Sequence, residues 1–148
     1  MCIRDRLSHE TKQPDGWKNF ALYCQFLHEE LARFIQRLKN TPEPGGQGAL
    51  LDHSLVLFGS ASSAFHLSRN YPLILAGGQS MGVSHGQYLN HAGAKAYRGG
   101  WKPGDKEPWT QKAQQEDLPL SNLFVSMLHH LGVETDAFAD STGSLDGV

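Results

Sequence analysis

The chain has 148 residues, 39% of them hydrophobic and 19% charged, and its 13 Lys and Arg stand against 15 Asp and Glu for a formal net charge of -2. That balance fits one soluble globular domain or a large part of one and offers no global field to attract nucleic acid or an anionic membrane. No apolar run approaches the roughly 20 residues that cross a bilayer, and the first residues lack the basic start and apolar stretch of a signal peptide.

Residues 1–6, Met-Cys-Ile-Arg-Asp-Arg, have no capping or periodic logic. They resemble translated adapter sequence and read as a non-native leader. Residues 7–148 then form the C-terminal portion of a single α/β domain whose native start lies further upstream. From Trp17 to Leu38 the apolar residues Phe20, Cys24, Leu27, Leu31, Phe34, Ile35 and Leu38 recur with the spacing of one helical face. Asp15 is placed to cap that helix, and Asn40 with Pro42 to end it. Cys24 falls on the apolar stripe and reads as a small buried hydrophobe, while His28 joins the polar side as a solvated histidine. With Cys2 as the only other cysteine, no cysteine-type zinc motif is available.

The segment Thr41 to Gly48 concentrates Pro and Gly and reads as a surface connector. Leu55 to Phe58 and Tyr71 to Ala76 are apolar throughout, as expected of strands covered on both faces. Between them runs Gly59-Ser-Ala-Ser-Ser-Ala-Phe-His-Leu-Ser-Arg-Asn70, a polar loop where an open sheet usually presents its chemistry. Asp52 and His53 precede the first strand, at the end opposite that loop, and receive no catalytic role. Gly77-Gly78 ends the second strand, and Met81 to Tyr88 forms a short hairpin-like segment with Ser84-His85-Gly86.

Residues 90–116 lack periodicity and read as an insertion loop, in which Tyr97, Trp101 and Trp109 form either a satellite cluster or a partner surface. Leu120, Leu123, Phe124, Met127, Leu128 and Leu131 mark a second amphipathic helix, begun near Asp117 or Ser121 and stopped by Gly132. Its apolar stripe is expected to bury against the sheet. His129 and His130 sit in its last turn, where a cation meets the negative helix end. Asp140, in a tail rich in side chains that bond nearby backbone, reads as a turn former or as a site residue.

Three groups of segments resemble the C-terminal part of the bacterial HXXSHH family, secreted or periplasmic proteins without an assigned activity. They are Leu7-Ser-His-Glu10; Leu57-Phe-Gly-Ser60 through Asn70-Tyr-Pro-Leu-Ile-Leu-Ala-Gly-Gly78, with His85-Gly-Gln-Tyr88; and Leu118-Pro-Leu-Ser-Asn-Leu123 through Phe138-Ala-Asp-Ser-Thr-Gly143. At greater distance the succession is similar to the end of alkaline-phosphatase-like and sulfatase-like hydrolases, including the helix that ends in Leu131-Gly-Val133. The resemblance implies the C-terminal part of an α/β/α sandwich with few strands and two main amphipathic helices. It also implies a periplasmic or secreted location and metal-dependent hydrolysis of sulfate or phosphate esters. A small anionic ester substrate and the missing N-terminal half of the same domain are the partners that follow from it.

Two departures are informative. The hydrolases place an acidic metal pair after the first strand, where this chain has Gly59-Ser60-Ala61-Ser62, and a hydroxyl is a far poorer ligand for a divalent cation than a carboxylate. Ser8-His9 fit the motif that names the family, but Glu10 stands where its second His would be and Asp5 where its first would be. The candidate metal ligands are therefore His9, His66 and His85, with Ser8, Ser60, Arg69 and Asn70 as candidate polar site residues.

Each has a plainer reading. His66 could only pin its loop, His9-Glu10 could be an exposed turn, and Ser60, Ser62 and Ser63 lack the Gly-x-Ser-x-Gly elbow of a nucleophile. Arg69 is placed equally well for an anion or for solvent. His9-Glu10-Thr-Lys-Gln13 lacks the second His of a zincin, and no phosphate-cradling or dinucleotide-binding glycine pattern supports a nucleotide cofactor. The rival function is a noncatalytic binding or assembly module that has lost the metal centre and uses the aromatic insertion as its contact surface.

Overall fold

The computed structural model describes residues 9–10, 13–60, 71–91 and 118–148. The polar loop 61–70 with His66, Arg69 and Asn70, residues 92–117 with Trp101 and Trp109, and Ser8 lie outside the described residues, as do residues 1–7. The chain divides into two compact units, Met1–Leu50 and Leu51–Val148. The described residues combine helices with a small antiparallel sheet, a mixed α/β class. No helix among them is long and apolar enough to cross a membrane.

The first unit is built on helix α1, Gly16–Asn40. Asp15 occupies its N-cap in a left-handed conformation (φ 60°), but the carboxylate does not cap. It pairs with Lys18 Nζ at 2.6 Å, and the Asp15 carbonyl accepts from the Lys18 and Asn19 amides. The helix thus starts by backbone closure, and the expected side-chain cap is replaced by an exposed ion pair. Thr41 closes the other end through its hydroxyl on the Arg37 carbonyl at 2.7 Å, with Arg37 and Lys39 favourably placed in the last turn. Pro42 then bridges to Ala49, and the Leu50 amide donates to the Thr41 carbonyl at 2.8 Å, so the connector is a closed loop.

The α1 stripe lies where the periodicity puts it, but none of it is fully buried. Phe20, Leu27, Leu31, Ile35 and Leu38 are half-buried and Phe34 is exposed. Cys24 is half-buried as well, short of the expected full burial. Leu22 and Phe26 face away from the stripe and are exposed, so α1 is less cleanly two-faced than its stripe suggests. The polar side is laced by Gln25 to Glu29 and Gln36 to Asn40, and by Arg33 between Glu29 and Glu30. His28 belongs to this exposed side, one ring nitrogen 2.7 Å from the Cys24 carbonyl.

The second unit opens with a 3-10 turn, Leu50–His53, followed by β1, Leu55–Gly59. Strand β2 is Leu73–Gly77, two residues later at its start than the apolar run suggests. Pro72 has no N–H to give a ladder, which keeps it and Tyr71 outside the strand. The two strands pair antiparallel, Leu55 opposite Gly77 and Gly59 opposite Leu73. Their residues are half-buried, with Ile74 and Gly59 exposed, so neither strand is covered on both faces. A continuous apolar run does not by itself reveal how many layers cover it.

Helix α2, Ser121–His130, ends as its sequence requires. Gly132 (φ 75°) donates to the His129 carbonyl and Val133 to the Leu128 carbonyl, both at 2.9 Å, forming a Schellman motif. The buried face departs from expectation. Leu123 is buried, but Leu120 and Leu131 are exposed, while Ser121, Asn122, Val125 and Ser126 are all buried. The C-terminal tail covers that side. Ser121 Oγ donates to Asp140 Oδ1 at 2.7 Å, the Thr142 amide donates to Asn122 Oδ1 at 2.9 Å, and Asn122 Nδ2 donates to Thr142 Oγ1 at 3.1 Å. Ser126 Oγ accepts from the Leu145 amide at 2.8 Å and faces its carbonyl at 3.0 Å. Phe124 meets Phe138 edge to face, with ring centroids 5.8 Å apart.

Ser126→Ala removes the tail's main-chain partner from a buried position and is expected to destabilise this unit by about 1–3 kcal/mol. Ser144→Ala, at an exposed tail position, should stay within about 0.5 kcal/mol. Urea unfolding of both variants measures the difference.

Candidate functional site

The strand pairing decides which candidate residues can meet within the second unit. Because β1 and β2 are antiparallel, Ser60 follows Gly59 at the end where Leu73 begins, whereas the turn after Gly77 lies beside Leu55. The intervening strand is about 14 Å long at the usual rise. Ser60 and the Gly77 turn therefore occupy opposite ends of the strand pair. Asp52 and His53, in the 3-10 turn just before β1, share the end that carries the Gly77 turn.

That turn, Gly77 to Gly86, is the most constrained loop among the described residues. Gly77, Gly78, Gly82 and Gly86 all have φ between 77° and 86°, a left-handed conformation that L side chains adopt at a cost. The Gly78 amide donates to the Leu51 carbonyl at 2.9 Å, tying the turn to the 3-10 segment, and the Val83 amide donates to the Gly78 carbonyl at 3.1 Å. A Cβ on Gly78 would come within 2.6 Å of a Leu55 methyl and 2.8 Å of a Val83 methyl. Close backbone packing therefore adds to the conformational demand for glycine, and Val83 is buried beneath the loop.

His85 closes the loop. Its Nε2 lies 2.6 Å from the Gly77 carbonyl oxygen, which can only accept, so Nε2 carries the proton. In a neutral ring the lone pair is then on Nδ1, an arrangement shared by many metal-binding and proton-accepting histidines. The ring itself is exposed. Among the sequence candidates, His85 has its ring placed by a hydrogen bond to the Gly77 carbonyl. His9, also exposed, belongs to the first unit, and His66 lies outside the described residues.

Three other polar groups are engaged structurally. Asp140 accepts the Ser121 hydroxyl, which makes it a tail anchor on α2. His129 Nε2 meets the Thr135 carbonyl at 2.7 Å in a shallow recess shared with Glu134 and Asp136. His130 reaches the Met81 carbonyl at 2.8 Å and a main-chain oxygen of Val148 at 3.0 Å, connecting α2 to the Gly77 turn and to the tail. The sequence reading gave these histidines a helix-end role without their tertiary acceptors, which no local pattern specifies.

No group of three or more His, Cys, Asp and Glu side chains among the described residues is placed to hold a metal ion. The described residues thus do not complete a metal centre. Comparisons of the chain with protein-family models, curated proteins and solved structures return no match.

Gly77→Ala would set its Cβ against the Ser54 carbonyl and 2.7 Å from the Leu51 carbonyl at φ 84°, whereas Gly86→Ala meets open space at φ 82°. Both are expected to lose about 1–2 kcal/mol from conformation, and Gly77→Ala more through the clash. Thermal unfolding of the two variants should rank them in that order, with the His85 ring signal displaced only in Gly77→Ala.

Proposed function

We propose that this chain is the C-terminal portion of a secreted or periplasmic alkaline-phosphatase-like α/β/α sandwich that hydrolyses sulfate or phosphate esters with a divalent cation. The observation that carries the reading is the Nε2 hydrogen bond of His85 to the Gly77 carbonyl, which leaves the lone pair of a neutral ring on Nδ1. His85 is the first ligand in this reading. The acidic ligands and nucleophile come from an N-terminal half of the same domain. That division of labour accommodates the hydroxyl-bearing Gly59-Ser60 in place of a carboxylate pair, and it explains why the described residues supply an incomplete ligand set.

Titration of the chain with zinc, manganese and calcium should show uptake of a cation, weakened about tenfold or more in His85→Ala. The longer protein that includes the upstream half should hydrolyse aryl sulfate or aryl phosphate in a manner that depends on the same cation. Absence of both uptake and turnover overturns the proposal and leaves the noncatalytic assembly module. The mark of that alternative is partner capture that disappears when residues 90–116, with Trp101 and Trp109, are deleted.

A further inference from the structure

Two of the chain's aspartates are followed by glycine, in Asp15–Gly16 and Asp146–Gly147. In such a pair the side-chain carboxyl is open to attack by the following main-chain nitrogen, because glycine has no Cβ to screen that nitrogen or to restrict the rotation the attack needs. The fold treats the two pairs differently. At the start of α1 both reactants are occupied: the Asp15 carboxylate pairs with Lys18 Nζ at 2.6 Å, and the Gly16 amide donates to the Gln13 carbonyl at 2.9 Å. Gly16 is also buried as the first residue of the helix. Asp146 and Gly147 are both exposed, and among the described residues no hydrogen bond or ion pair engages the Asp146 carboxyl group or the Gly147 amide.

We infer that Asp146–Gly147 is a site of spontaneous aspartate isomerisation, and that the change unfastens the C-terminal tail from Gln87. The Gly147 nitrogen attacks Asp146 Cγ. A Cγ–N bond forms, a Cγ–O bond breaks, and the carboxyl hydroxyl leaves as water with the amide proton, closing a succinimide. Water then opens the ring. Addition at Cγ regenerates aspartate, whereas addition at the Asp146 main-chain carbonyl carbon breaks its bond to nitrogen and leaves Gly147 joined through Cγ. A water is lost and a water regained, so the product is isomeric with the starting chain and solvent is the sole co-reactant. Its main chain is longer by a methylene, and its free carboxylate is the former main-chain carbonyl.

That extra length falls between two anchored points. On one side, Ser126 Oγ accepts from the Leu145 amide at 2.8 Å and faces the Leu145 carbonyl at 3.0 Å. On the other, Gln87 Nε2 donates to the Gly147 carbonyl, and a Cβ on Gly147 would stand 3.6 Å from a Leu89 methyl, so Gly147 lies close against that segment. A main chain lengthened at Asp146 cannot keep both anchors in register. The Ser126 anchor is part-buried and doubly bonded, while the Gln87 contact is exposed, so the Gln87 tie is the one released. Gln87 Nε2 then retains its longer contact with the Ser84 carbonyl, at 3.3 Å. Neither Asp146 nor Gly147 is a ligand in the proposed hydrolase, so the isomerisation stands or falls apart from that reading.

The wild-type chain should be held folded at physiological temperature and pH for several weeks in oxygen-18 water, then digested and mapped. Isoaspartate at each pair is read from oxygen-18 incorporation, from separation of the isomeric peptides and from labelling by an isoaspartyl methyltransferase. It is expected to form at position 146 about tenfold or more faster than at position 15, where a hydrogen bond and an ion pair must first break. In denaturant the two rates should converge. Asp146→Glu should remove the signal, because its longer side chain closes a less favourable ring. Asp146→Asn, whose amide nitrogen is the better leaving group, should reach the same isoaspartyl product sooner. In that product the Gln87 side-chain amide signal should shift while the Leu145 amide stays protected from exchange. No isoaspartate at position 146, formation at position 15 that is equal or faster in the folded chain, or isomerisation at 146 with the Gln87 signal unmoved overturns the inference. The comparison of the two wild-type pairs decides the question even if a variant fails to fold.

Discussion

The antiparallel register of β1 and β2 organises the second unit. Pairing Leu55 with Gly77 brings the chain back beside the 3-10 segment it has just left, so that Gly78 can donate to the Leu51 carbonyl. Everything after β2 starts from that point. The glycine turn is set against Leu51 and Ser54, Val83 is buried beneath it, and His85 can reach back to the Gly77 carbonyl. A parallel pair would have carried the turn to the end that bears Ser60. The antiparallel orientation of one two-stranded ladder therefore separates Ser60 from the histidine-bearing turn.

Helix α2 shows how burial can follow hydrogen-bond supply as much as hydropathy. Ser121, Asn122 and Ser126 are buried because the tail presents acceptors and donors in step with them: Asp140, Thr142 and Leu145. A buried hydroxyl or amide without such partners would cost about 1–3 kcal/mol, so the side chains and the tail must order together. Val125, on the same face, supplies the apolar contact that complements the polar ties. No polar side-chain atom buried in the described residues lacks a partner, as this arrangement requires.

The sequence made α1 and α2 legible because both repeat every three to four residues over several turns, and Gly132 sits where a left-handed residue closes a helix. The strands were legible as apolar runs, but their orientation was not. Four apolar residues such as Leu55 to Phe58 look the same whether the neighbour runs parallel or antiparallel. The candidate site was legible only at His85, and there only as a residue type. Its tautomer depends on the Gly77 carbonyl eight residues earlier, and that approach passes through three left-handed glycines, Gly77, Gly78 and Gly82. His130 was less legible still, because its acceptors at Met81 and Val148 are 49 and 18 residues away in the chain.

The three histidines of the second unit with mapped ring contacts illustrate why residue type underdetermines role. His85 and His129 each give one N–H to a backbone carbonyl, which orients the ring and leaves its chemistry on the other nitrogen. His130 sets both nitrogens against main-chain oxygens, of Met81 and of Val148, so neither nitrogen is left over. The number of main-chain oxygens within reach, one or two, thus separates the two kinds of ring. The two kinds meet in one place, since the Met81 carbonyl held by His130 belongs to the same glycine turn that fixes His85. The Gly77 to His85 backbone is thus held by two rings, His130 at the Met81 carbonyl and His85 at the Gly77 carbonyl, in a conformation that its left-handed glycines make possible.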